Sequence, residues 1–228
     1  MPQAHFSPKL FKFLKELAAN NDRDWFQANK DRYENDVREP AQAFISDFGP
    51  QLRKISPHFR ADPRKVGGSL FRIHRDVRFS KDKSPYKTHT GIQFRHKQGK
   101  DAHAPGFYLH IEPGRCFGAV GIWHPDGETT KNIREFLVEN TSRWKRIMSA
   151  KRFRDTFELQ GDSLKRPPRG FDPEHPLIED LRRKDFIGVH SLSQKDVASS
   201  DFLKRYTGLC RTGAAFVKAL CEASGIAF

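Results

Sequence analysis

The densest chemistry in the chain lies between Leu70 and His89. Six cations, Arg72, Arg75, Arg78, Lys81, Lys83 and Lys87, surround two carboxylates, Asp76 and Asp82. A guanidinium offers a planar fork of donors that matches a phosphate or a carboxylate, and a lysine supplies a point charge. Several such groups in one short loop repel one another unless the aspartates or a bound anion neutralise them. Two readings stay open at this level: an internally salt-bridged loop, or a site for an anionic ligand. Phe71, Ile73, Val77, Phe79, Pro85 and Tyr86 interleave the charges, which favours a segment held against a core over a free basic face.

A second group of residues follows from strand parity. Residues 69–74, 90–96 and 106–112 alternate in polarity as half-buried strands do. With Phe71, Ile92 and Leu109 turned to a core, Arg72, Gln93, Tyr108 and His110 share the opposite face. That face forms a shallow cleft with the 75–89 loop as its lip. His110 is the acid/base candidate because an imidazole exchanges a proton near neutral pH, and Asp76 is the second. The ten histidines show no zinc-type spacing, so no metal is expected; a set of Asp76, His110 and Glu112 is the one combination weighed. Lys165, Arg166 and Arg169 stand in a proline-stiffened stretch, Leu164 to Pro176, which reads as a second basic lip or a loop packed by Phe171.

The elements that must position these groups run helix, strand, helix. Residues 7–19 carry one apolar stripe of Leu10, Phe13, Leu14 and Leu17, with Ser7 as cap and Pro8 in the first turn. Asp22 caps a second helix over 22–38, whose Trp25, Phe26 and Tyr33 are expected to pack or to rim the cleft. Pro40 kinks or restarts it, Phe44, Ile45, Phe48 and Leu52 continue a helical face beyond, and Gly49-Pro50 leaves its further run open. Strands are predicted over 69–74, 90–96, 106–112, 115–123 and 185–191, with Pro113-Gly114 joining two of them. Helices are predicted over 127–147, 176–184 and about 200–223, with Ser193 or Ser200 as a cap. The fold class is therefore α+β, an antiparallel sheet from the central segment packed by N- and C-terminal helices. The expectation is a single domain over 1–228, helical in 1–60, sheet and basic loop in 64–124, mainly helical in 127–228.

Composition narrows the function classes. The chain has 228 residues and a formal net charge of +13. Residues 64–97 alone hold ten basic and two acidic residues, so the excess is local, and a local excess marks a place for an anion. No run approaches the roughly 20 apolar residues of a membrane helix, and no secretory signal pattern opens the chain. Three cysteines, Cys116, Cys210 and Cys221, sit at no ligand spacing, which argues against a disulfide framework or a cysteine zinc site. A phosphate-binding Gly-rich loop ending in lysine, a dinucleotide fingerprint, a His-Glu-x-x-His pair and a Gly-x-Ser-x-Gly elbow are all missing. The expected setting is cytoplasmic.

The run Arg75-Asp-x-Arg-Phe-Ser-x-Asp-Lys-x-Pro-Tyr-Lys87 is long and specific. With Asn20 to Tyr33, Tyr108 to Pro113 and Leu164 to Pro176, it resembles, nearly end to end, a bacterial and fungal family catalogued as domain of unknown function 2461. The resemblance implies that the polar loop belongs to the family's pattern; it brings no activity with it. From the residues, the leading expectation is a binder of, or enzyme on, a phosphate- or carboxylate-bearing small molecule. A nucleic-acid binder, through a basic track joining 64–97 to 143–169, and an interaction module with a self-paired loop are the alternatives. No cofactor and no oligomeric state can be assigned from these residues.

Overall fold

The computed structural model describes residues 4–98 and 103–228; the first three residues of the N-terminal segment lie outside that range. Helix α1 (Pro8–Ala19) buries Leu10, Phe11, Phe13, Leu14 and Leu17. Ser7 holds the capping position with an extended backbone, but its side chain makes no capping bond. Asp22 does cap α2 (Arg23–Ala28), accepting the Trp25 N–H at 2.8 Å. The helix expected over 22–38 is not continuous. It breaks at Asn29, re-forms as α3 (Lys30–Tyr33), and widens into a π-helical turn at Glu34–Arg38 before α4 (Glu39–Ile55). Pro40 has no N–H to continue the ordinary ladder, and just before it the Glu39 N–H bonds five residues back to the Glu34 carbonyl. Beyond Pro40 the chain stays helical through Gly49 and Pro50.

The sheet is antiparallel throughout, in the order β1-β2-β3-β5-β4. Its strands are β1 (Thr90–Arg95), β2 (Gly106–Ile111), β3 (Cys116–Ile122), β4 (Glu158–Gln160) and β5 (Phe186–Leu192). Pro113-Gly114 joins β2 to β3, with the Arg115 N–H on the Glu112 carbonyl at 3.0 Å. The three-residue β4 was not expected from the sequence.

Residues 69–74 are not the strand that their alternation suggested. Leu70 makes an isolated bridge to Ile92, and His74 bridges Tyr86. Between these the chain leaves β1 and pairs with itself: the Arg75 N–H reaches the Pro85 carbonyl at 2.9 Å, and the Lys87 N–H reaches Ile73 at 2.8 Å. Side-chain parity is lost with the strand. Ile73 is buried as expected, but Phe71 turns to the open face, and Phe79 is 97% exposed rather than packed.

The helix expected over 127–147 is also divided, into α5 (Gly127–Glu139) and α6 (Thr141–Ser149), followed by α7 (Lys151–Thr156). At the break, the Asn140 side chain donates to the Phe136 carbonyl and the Thr141 hydroxyl to that of Leu137. These side chains add donors to the carbonyls of the last turn, the Phe136 carbonyl still accepting the Asn140 N–H at 2.9 Å. Helix α8 covers only Ile178–Leu181. Ser193 and Asp196 form a capping box on the short α9 (Gln194–Val197), and α10 spans Phe202–Ala223.

The core lies on one face of the sheet. Ile92, Phe94, Phe107, Leu109, Ile111, Val120 and Phe186 point into it, against α4 and α10. Phe48 meets Phe94 at 4.6 Å between ring centroids, and Trp144 meets Phe216 at 5.4 Å. Helices on one sheet face make the architecture α+β. The three cysteines are buried free thiols. Among the described residues no helix is long and apolar enough to cross a membrane.

Candidate functional site

Covering one face leaves the other for chemistry. The register pairs Gln93 with Tyr108, Gly91 with His110, Tyr108 with Ala119 and His110 with Phe117. These side chains therefore share the face away from the helices. They frame a groove of about 350 Å³, with Phe71, Gln93, Tyr108, Phe117, Ala119 and Trp123 among its walls. Phe71 and Phe117 flank Tyr108 at 6.0 and 5.9 Å. Gly91 makes room for this arrangement. A Cβ there would stand 2.7 Å from the Tyr108 hydroxyl and 3.0 Å from the Phe71 ring.

A cation stands over each flanking aromatic ring. Lys87 Nζ is 5.3 Å from the Phe71 centroid, and the Arg115 guanidinium is 5.6 Å from that of Phe117.

Next to Tyr108 is a polar chain. The Tyr108 hydroxyl lies 3.1 Å from His110 Nδ1, His110 Nε2 lies 3.2 Å from Glu112 Oε2, and the Thr88 hydroxyl donates to Glu112 Oε1 at 3.2 Å. A carboxylate only accepts, so Nε2–H donates to Glu112 and Nδ1 accepts from the Tyr108 O–H. The buried His110 ring is held between Phe117 at 4.6 Å and His89 at 4.4 Å. Burial pushes the His110 pKa down, against the pull of Glu112. Burial first, then the neighbouring His110, pushes His89 down to about 4. Burial, then Glu112, lifts the Tyr108 phenol to about 12. At neutral pH the site thus holds two uncharged imidazoles and an intact phenol beside a carboxylate. Such a set can hold a proton or a cation.

The structure brings Gln93, Tyr108 and His110 together and separates them from most of the basic loop. Arg72 is exposed, lies outside every strand and is not among the residues lining the groove. Arg75 is ion-paired with Asp82 and also donates to the Ser84 carbonyl at 3.3 Å. Arg78 grips Asp76 with two bonds of 2.9 and 2.7 Å. Asp76 is held down to about 2, chiefly by the Arg78 side chain, and a carboxyl so stabilised as its anion is a weak base. Lys83 donates to the Val77 carbonyl at 3.0 Å, Lys87 to the Arg72 carbonyl at 3.0 Å, and Lys81 is exposed.

The Lys165, Arg166 and Arg169 loop is tied down by Arg182, which donates to the Leu164 and Lys165 carbonyls. It lines neither the groove nor the His110 cluster. Of the Asp76, His110 and Glu112 weighed together, Asp76 is held by Arg78, and the donor atoms that converge are those of His89, His110 and Glu112. His89 and Thr88 escaped the sequence reading. Their signal was the hairpin register: Gly91 opposite His110 brings residues 88–89 level with Glu112. Phe71, Arg115, Phe117 and Trp123 were missed as walls for want of that register.

A second recess, of about 330 Å³, opens between α2 and the loop and is lined by Arg23, His74, Arg75 and Tyr86. Phe26 stacks on Tyr86 at 4.1 Å, and Asn21 exchanges two 3.0 Å bonds with the Tyr86 backbone, so the N-terminal helices hold this loop. Burial first, then Arg72, Arg38 and Arg23, lowers the His74 pKa.

No curated protein matches the chain. Residues 9–218 match the family model described as a conserved hypothetical protein, domain of unknown function 2461, and the chain belongs to that family.

Proposed function

We propose that the protein binds a small molecule on the open face of its sheet. The apolar or aromatic body of the ligand lies between Phe71, Tyr108, Phe117 and Trp123, and its phosphate or carboxylate meets Arg115 and Lys87. The uncovered groove supports this reading: aromatic rings form its walls, and cations stand at two of those rings. The arginines of the loop itself serve less well, because Arg75 and Arg78 already hold aspartates.

Trp123 is 51% exposed and lines the groove, whereas Trp144 is buried and Trp25 sits on α2, so a ligand-dependent emission change that is lost in Trp123→Phe reports on the groove. The test is a thermal-shift screen of carboxylates and phosphate monoesters with apolar bodies. At 100 times its dissociation constant a ligand adds about 2.7 kcal/mol, and each kcal/mol is worth about 2–4 °C at this chain length. Hits are expected to change Trp123 emission, to weaken in Arg115→Gln and to be lost in Ala119→Leu, which fills the groove. Affinity unchanged in Ala119→Leu refutes the reading.

The basic recess favours a second reading, an inorganic phosphate site at Arg23, His74 and Arg75. It predicts stabilisation by phosphate beyond that of chloride at matched ionic strength, lost in Arg23→Ala. Equal shifts for both salts refute it.

A further inference from the structure

We propose that His89, His110 and Glu112 bind a divalent transition-metal ion. The inference goes beyond the ligand-binding reading and stands whether or not the groove takes an organic ligand.

The donor atoms of the three residues all lie within 4.8 Å of one another. Bonds of about 2.0–2.2 Å in a tetrahedral site space the ligand atoms about 3.3–3.6 Å apart. His110 Nε2 and Glu112 Oε2, at 3.2 Å, are already close to that spacing. His89 supplies the remaining adjustment. It sits in the bend just before β1 and is only partly buried, so its ring can swing, whereas His110 is fixed within the sheet.

The atoms that a metal does not use have partners. Tyr108 holds His110 at Nδ1, and Thr88 holds Glu112 at Oε1. This leaves Nε2 and Oε2, 3.2 Å apart, as the atoms available to a metal, which is how outer partners orient metal ligands. Metal binding replaces the Nε2 proton, moves the imidazole proton to Nδ1 and makes the Tyr108 oxygen its acceptor. The imidazole keeps its proton and stays neutral, so this tautomer shift releases none.

Two imidazoles and a carboxylate, with no thiolate among them, suit Zn²⁺, Co²⁺, Fe²⁺ or Mn²⁺ better than Ca²⁺ or Mg²⁺. Three protein ligands leave at least one coordination position open, the pattern of a reactive site and not of a structural one. A dication on one carboxylate keeps a net charge of +1, which favours an anionic molecule in that open position.

The test uses the full chain, stripped with a chelator and titrated with Co²⁺. Visible d–d absorption should saturate at one equivalent per chain, and Zn²⁺ should abolish it. His89→Ala and Glu112→Gln each weaken Co²⁺ by more than about tenfold, and Tyr108→Phe by a smaller factor. His5→Ala, outside the cluster and both recesses, leaves the titration unchanged, and loss of organic-ligand binding in Ala119→Leu is read separately from the Co²⁺ titration, so failure of the metal site and failure of the groove reading are told apart. His110 is left intact in the test because it is buried. Circular dichroism of each variant confirms the fold before the comparison. Absence of saturable one-per-chain binding up to millimolar Co²⁺, or affinity unchanged in both His89→Ala and Glu112→Gln, overturns the proposal.

Discussion

Adding one methyl group at two sheet glycines should separate the fold from the site. Gly121 has φ of +122°, and a Cβ there would stand 2.0 Å from the Phe186 carbonyl oxygen and 2.9 Å from the Phe216 ring. The obstruction is backbone on the neighbouring strand, so it cannot swing aside. Backbone strain of about 1–3 kcal/mol adds to overpacking of about 1–3 kcal/mol. Reduced freedom of the unfolded chain returns about 0.4–1 kcal/mol. Gly121→Ala should therefore cost about 1–5.6 kcal/mol, or about 2–22 °C in melting temperature.

Gly91 differs in what surrounds it. Its backbone is ordinary strand, and the atoms nearest a new Cβ belong to the Tyr108 and Phe71 side chains, both partly exposed. These rings can tilt into the groove. Gly91→Ala should change stability by less than about 1 kcal/mol, because the entropic gain offsets the crowding. It should still displace the Tyr108 hydroxyl from His110 and weaken Co²⁺ binding. The assay is urea denaturation followed by circular dichroism, with the Co²⁺ titration run in parallel. Gly91→Ala costing as much as Gly121→Ala would refute the distinction between movable and fixed neighbours.

Three further outcomes are expected. Asp185 is buried and accepts the His124 and Asp162 N–H groups at 2.8 and 2.9 Å. Asp185→Asn turns an amide toward one of these donors and should cost about 1–3 kcal/mol in urea denaturation; a change under about 0.5 kcal/mol would contradict this. Asp196 is held down to about 2, first by the Ser193 N–H, then by the Ser193 hydroxyl and Arg205. Because its folded value lies below the ordinary one, its contribution is present above about pH 4 and is lost as pH falls through about 2. Ser193→Ala should raise its NMR titration midpoint, and a midpoint that does not move would contradict the assignment. The Arg78–Asp76 pair is open to solvent, with side-chain exposures of 76% and 45%, so Arg78→Ala should leave the melting temperature unchanged; a clear drop would show that the pair holds the loop.

Local periodicity made much of the protein legible. Leu10, Phe13, Leu14 and Leu17 are buried because a helix repeats every 3.6 residues, and that spacing is written in the chain. Gln93 and Tyr108 face the same way because strand side chains alternate and the antiparallel pairing sets them opposite each other. The +13 charge and the α+β order of elements needed no long-range information.

What remained illegible depends on partners distant in sequence. Phe71 alternates like a core residue, yet the Leu70–Ile92 bridge and the Phe71 N–H on the Gly91 carbonyl set it opposite Gly91 on the open face, and the chain then leaves β1 to pair with residues 85–87, which no local pattern specifies. The breaks at Asn29 and Asn140 place side-chain hydrogen bonds where the apolar spacing alone suggested continuous helix. Arg75 and Arg78 read as anion ligands until the folded loop set Asp82 and Asp76 against them. His89 is unremarkable as a residue and meets His110 only through the hairpin register. Sequence patterning determines which side chains share a face, because that is a property of a few consecutive dihedral angles. Which face is covered, which charges are already paired and which donors converge are decided by contacts closed over long stretches of chain, and these exist only in the tertiary structure.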